Sequence, residues 1–147
     1  MMTLRQHNYL TLCLRAGLGA VWFWSAIVSE FIAPRELSLG LLAAVGISGA
    51  LAPVMLHGAS LLDAILGVLT LAGVCTRWVA IAQAMLVLVY SGLLVGRVPE
   101  LWIHPFAPIG KNIALIATAL ALAISGGGDW SVDRLLRRSA VRWLERA

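Results

Sequence analysis

Residues 10–32 read LTLCLRAGLGAVWFWSAIVSEFI, an apolar run interrupted only by Arg15 and Glu30. A membrane-spanning helix needs about 20 predominantly apolar residues, so this stretch is predicted to cross a bilayer. It does not read as a secretory signal: the run is too long, it holds an arginine, and no small-residue cleavage motif follows. It is expected to stay in the mature protein.

Three further runs lie downstream. Residues 51–74 contain Pro53, His57 and Asp63, and residues 78–96 contain Gln83 and Tyr90. Residues 109–125 are the shortest run and begin with Lys111 and Asn112, so they call for a locally thin bilayer. Between the first two runs, residues 36–48 (ELSLGLLAAVGIS) are apolar but too short to cross. They read as an interfacial or re-entrant segment, bounded by Pro34 on one side and Gly46, Ser48 and Gly49 on the other. Leu, Ala and Gly dominate with no strand-like alternation, which argues against a membrane barrel. Lipid offers the backbone no hydrogen bonds, so helices remain. The expected fold is all-α: a four-helix transmembrane bundle over residues 1–128, with an interfacial segment after the first helix. Residues 129–147 are expected to form a basic amphipathic cytoplasmic tail.

Composition agrees. Hydrophobic residues make up 61% of the chain and charged ones only 12%, against about a quarter charged in soluble domains. The net charge of +4 does not indicate nucleic acid, because the basic residues punctuate apolar runs instead of covering a soluble face. After Gly126-Gly127-Gly128 the sequence changes to DWSVDRLLRRSAVRWLERA. Val132, Leu136, Ala140 and Trp143 recur at helical spacing, with Arg134, Arg137, Arg138, Arg142 and Arg146 on the other faces. That pattern suits a helix lying on an anionic leaflet with Trp130 and Trp143 as anchors; a frayed basic tail is the plainer alternative. Arg5, Arg77 and the tail arginines outweigh Arg35, Arg97 and Lys111, so both termini are expected in the cytoplasm of a bacterial inner membrane. Cys13 and Cys75 fall on that reducing side, where packed thiols are expected before a redox pair.

Ionisable residues at membrane depth need a reason. Arg15 is long enough to reach Asp63, as a structural ion pair or as part of a proton relay. Polar residues also form one seam per helix. Arg15, Trp22 and Ser29 recur on the first, with Ser25 beside them, and Pro53, His57, Ser60, Ala64 and Gly67 share a face of the second. Gln83, Tyr90 and Arg97 recur on the third, and Lys111, Thr118 and Ser125 on the fourth. For the Ser, Thr and Gln members, helix–helix glue is the expectation, and Gly17, Gly19, Ala64 and Gly67 are expected to permit close approach. His57 stands evenly between a packing residue and a ligand-binding one. His7 and His104 fall near opposite surfaces, so a membrane-embedded haem pair is not expected, nor is a metal site.

Residues 97–112, RVPELWIHPFAPIGKN, pack three prolines with Trp102, His104 and Phe106. Proline stiffens such a loop, and an aromatic belt accounts for the rings but not the histidine. The loop is expected to fold as a lid over the outer mouth, with Glu30 paired to Lys111 or Arg97 and His104 above the His57 face.

LWIHPFAPIGKNIALIA, with FWSAIVSEFIAPRELSLGLLAAVGISGALAPVMLHGASLLDAILGVLTL, resembles the DoxX-like family of small bacterial membrane proteins over residues 12–123. The resemblance implies a four-helix membrane bundle. It also implies a link to quinol oxidase and thiosulfate:quinone oxidoreductase systems, and to separate NAD(P)-binding reductase partners. Two functions follow as expectations. One is a redox-associated subunit, at most part of a membrane oxidoreductase, that holds a quinone or similar apolar ligand among Trp22, His57, Asp63, Tyr90 and His104. It would have no intrinsic cofactor; its partners would be the bilayer, a separate redox subunit and further copies of itself. The other is a non-catalytic structural or assembly subunit whose seams only join helices.

Overall fold

The computed structural model describes residues 3–98 and 110–144, with side chains as far as Ser139 on the last helix. It is all-α. Helix α1 spans Leu4–Ile27 and runs on into a π-helical turn at Val28–Ile32. Helix α2 is Arg35–Ala44, α3 is Leu51–Ala72, α4 is Thr76–Val95, α5 is Gly110–Ser125 and α6 is Val132–Leu144.

Local chemistry sets these bounds. Thr3 caps α1 through a reciprocal box, its hydroxyl accepting from Gln6 N while the Gln6 side chain accepts from Thr3 N. The helix thus starts six residues before the apolar run, because capping, not hydropathy, decides where a helix begins. Pro34 ends the π turn and opens α2. Gly73, left-handed at φ 72°, closes α3 with its N–H on the carbonyl oxygens of Leu69 and Thr70.

Helices α1, α3 and α4 are long and apolar enough to cross a membrane; α5, at 16 residues, is apolar but shorter. Packing runs in a ring: α1 against α3, α3 against α4, α4 against α5, and α5 back against α1, with α2 laid on α3. Leu18, Trp22, Leu66, Val79, Ala80, Val87, Ala119 and Leu122 form the core. The outside is apolar too, with Phe23, Trp24, Leu61, Ile65, Val68, Met85 and Leu88 all exposed. A soluble protein would not leave such a continuous apolar exterior, so these faces belong to lipid. The chain is an all-α, multi-pass membrane bundle.

Helices α1 and α3 meet most closely at Gly19 and Gly67. A Cβ on Gly67 would stand 2.7 Å from the backbone nitrogen of Phe23. Gly17, expected to help, faces open space instead. The seam expected on α5 also differs: its buried face is Ala119 and Leu122, Lys111 is exposed, and the Thr118 hydroxyl turns back onto the Ala114 carbonyl at 2.7 Å. A shared polar period on α5 was no guide to its inward face, because Ala and Leu pack closer to the neighbouring helices.

Candidate functional site

Polar side chains converge at mid-depth from α1, α3 and α4. On α1 the buried stripe Thr11, Arg15, Leu18, Gly19, Trp22 and Ala26 follows helical spacing and faces the interior. On α3 the inward residues include Ser60, Asp63 and Gly67, and on α4 they include Gln83 and Val87. Three contacts fix the antiparallel register. Gly19 lies against Gly67, the Ser25 hydroxyl donates to Asp63 Oδ2 at 3.4 Å, and Glu30 reaches His57. Gln83 Nε2 donates to the Leu66 carbonyl at 3.4 Å and so brings α4 to the same level. Trp22, Ser60, Asp63 and Gln83 therefore sit within about two helical turns of one another in depth.

Four polar atoms there have no hydrogen-bond partner among the described residues: Trp22 Nε1, Ser60 Oγ, Asp63 Oδ1 and Gln83 Oε1. Buried polar atoms are nearly always satisfied, and leaving one unpaired costs about 1–3 kcal/mol. The set holds one obligate donor (the indole N–H), two acceptors and a hydroxyl that can act either way. The half-buried Tyr90 lies about two turns beyond Gln83 along α4. Of the predicted ligand residues, Trp22 and Asp63 lie close in depth and Tyr90 further along α4, whereas His57 is exposed and paired with Glu30 and His104 lies outside the described residues.

His57 is exposed near the start of α3, where its Nδ1 lies 2.7 Å from Glu30 Oε1. On its other side Arg35 Nη2 lies 3.3 Å from His57 Nε2. The imidazole, with Glu30 on its Nδ1 side and Arg35 on its Nε2 side, bridges α2 to the π turn. The expected pairing of Glu30 with Lys111 or Arg97 is corrected: the carboxylate is taken by His57. The contact is local: Glu30 lies within the π turn at Val28–Ile32, which packs beside the start of α3. Arg97 instead extends toward Gly46, its Nη1 4.0 Å from where a Cβ on that glycine would stand. The rest of the expected lid, with Trp102, His104 and Phe106, lies outside the described residues.

Arg15 is only 3% exposed and does not pair with Asp63. Its Nε donates to the Thr70 carbonyl at 3.1 Å and its Nη2 to that of Leu71, in the last turn of α3. Its Nη1 donates to the carbonyls of Gly127 and Trp130 at 3.1 and 3.0 Å. This corrects the expected ion pair. The last carbonyls of a helix lack partners and carry partial negative charge, so α3 itself supplies the counter-charge two turns before Asp63 is reached.

The same end of the bundle, called the base here, holds the tail. Asp133 accepts from Cys75 N at 2.7 Å, Thr76 N at 3.0 Å and Thr76 Oγ1 at 3.1 Å, capping α4 from a distant part of the chain. Burial works to raise the Asp133 carboxyl, but these backbone and hydroxyl bonds outweigh it and hold it below its ordinary value. The Asn8 amide donates to Asp129 at 2.9 Å, holding that carboxyl low as well, and Arg134 Nε lies 3.0 Å from it. Tyr9 meets Trp130 edge to face at 5.2 Å between ring centres. The start of the tail is thus bolted to the bundle. Cys13 and Cys75 are both free and exposed, not packed, with Cys75 in the left-handed conformation at φ 46°.

Ser25 and Gln83 do join helices, as their residue types suggested, Ser25 to Asp63 of α3 and Gln83 to the Leu66 carbonyl. Ser60 Oγ and Gln83 Oε1 go without a partner among the described residues, and hydrogen-bond satisfaction is not visible in a sequence. No curated protein and no solved structure matches the chain. The profile of the DoxX-like family matches residues 19–120. That span contains the whole mid-depth cluster and the Glu30–His57 contact, and leaves out Arg15 and the tail. The chain belongs to the DoxX-like family.

Proposed function

We propose that this DoxX-like chain is a redox-associated membrane subunit that holds a quinone, or a similar apolar molecule with a polar head, at mid-depth in its bundle. The observation that carries the reading is the set of four unpartnered polar atoms on Trp22, Ser60, Asp63 and Gln83 inside an otherwise apolar core. Ligand sites in helix bundles are mostly apolar with a few aimed polar groups, which is the character of this one. The residues fit such a head group. The Trp22 N–H suits a carbonyl oxygen, and Asp63 and Gln83 accept from a hydroxyl, with Ser60 able to serve either. A bound quinone would supply the two-electron chemistry, while Asp63 would hold or receive a proton beside it. Electrons would come from a separate redox polypeptide.

In this reading α5 forms a fourth crossing in a thinned bilayer, and both termini lie in the cytoplasm of a bacterial inner membrane. Arg5, Arg77, Arg134, Arg137 and Arg138 at the base favour that side. Native mass spectrometry of the protein in nanodiscs made from native lipid tests the ligand. Retained quinone, lost in a Trp22→Phe/Gln83→Leu double variant, is expected. A chain that retains only phospholipid would contradict the proposal and favour a structural or assembly subunit.

A further inference from the structure

At the base, a cleft of about 740 Å³ opens between the start of α1, the α3–α4 turn, the Gly126–Gly128 loop and α6. Its lining includes His7, Arg77, Trp78, Arg134, Leu136 and Arg137. Asp129 and Asp133 line it too, yet their carboxylates are turned to the protein. Asp129 accepts from Asn8 and pairs with Arg134 and Arg138, while Asp133 caps α4. Arg137 acts on Asp133 only through its charge, and among the described residues no salt bridge engages Arg77 or Arg137. The Arg77 guanidinium lies across Gly126, its Nε 3.4 Å from where a Cβ would stand, so the glycine makes room for it. The cleft therefore presents two guanidinium groups over a floor whose acids are already satisfied.

Its position selects the ligand. The spanning helix α4 begins in the cleft wall, so the opening lies at a membrane boundary. Trp78, 75% exposed, and Leu136, 63% exposed, stand at its edge as apolar surface beside the cations. A soluble phosphate has no use for that edge, whereas a lipid uses both parts at once. We propose that this cleft binds the phosphate headgroup of an anionic phospholipid, gripped by Arg77 and Arg137, with Trp78 and Leu136 against its acyl chains.

Nanodiscs containing equal phosphatidylglycerol and phosphatidylcholine, with the full chain, provide the test. Native mass spectrometry is expected to show preferential retention of phosphatidylglycerol by the wild type. Affinity should fall about fivefold for each of Arg77→Gln and Arg137→Gln, the worth of one cation near an anionic surface. Arg77→Lys should restore part of the loss, and Arg5→Gln, which removes a charge at the same end but outside the cleft, should change little. Equal retention of the two lipids by the wild type would overturn the site, as would unchanged retention by the Arg77→Gln/Arg137→Gln variant. Displacement of the lipid by millimolar inorganic phosphate would transfer the site to a soluble phosphate and overturn the lipid assignment.

Discussion

Glu30 Oε1 lies 2.7 Å from His57 Nδ1, and this contact ties the π-helical end of the first spanning helix to the start of α3. The two side chains are 27% and 50% exposed, so the bond is partly screened. Replacing Glu30 by Gln and His57 by Phe, singly and together, should give a coupling of about 0.5–1 kcal/mol in melting experiments. Strict additivity would show that the contact contributes nothing.

Arg15 makes a stronger demand. Arg15→Leu strips charge-assisted hydrogen bonds from the end of α3 and from the loop carrying Gly127 and Trp130. A loss of about 2–4 kcal/mol is expected, measured as a fall in melting temperature. Adding Asp63→Leu should not recover any of it, because the two side chains do not pair. Rescue in the double variant would restore the ion pair.

The crossing of α1 and α3 leaves no room at Gly67. Gly67→Ala should destabilise by about 1–3 kcal/mol, since the new methyl meets backbone at Phe23. Gly17→Ala and Gly58→Ala face open space and should be neutral or slightly stabilising. Equal effects at all three positions would contradict the packing.

Docking of the tail depends on Asp133 being ionised. Its folded carboxyl sits below the ordinary value of about 3.9. The stabilisation it gives is therefore complete above that value and is lost as pH falls through the lower, folded one. Hydrogen exchange in α6 should rise on acidification below about pH 4. Asp133→Asn should show faster exchange already at neutral pH, and tail exchange that ignores both would contradict the cap.

The membrane character and the break at Pro34 were legible in the sequence, because each depends on composition, and the polar faces were legible only in part: Arg15, Trp22, Ser60 and Gln83 are buried, whereas His57 and Arg97 are exposed. The partners were not. Arg15 and Asp63 looked like a pair because charge is written in a sequence and helix-end carbonyls are not. The Glu30–His57 contact is not legible in the sequence, because a π turn leaves no compositional mark. The tail read as a basic amphipathic surface, yet Asn8, Asp129 and Asp133 fix its start through neutral amides and backbone N–H groups that no charge count reveals. Ser60 Oγ and Gln83 Oε1 carry no mark of being unpartnered, since only the packed structure shows which polar atoms go unpaired.

In the proposed function the unpartnered atoms of Trp22, Ser60, Asp63 and Gln83 serve a ligand. Titration of the protein in nanodiscs with a short-chain quinone, followed by tryptophan fluorescence quenching, measures its Kd directly. Trp24→Phe, on the lipid-facing side of α1, should leave Kd unchanged. Asp63→Asn and Gln83→Leu should each raise it about 5- to 50-fold, the worth of one buried hydrogen bond of roughly 1–2.3 kcal/mol. A Kd that stays the same in both mid-depth variants while the fold is intact would contradict the account.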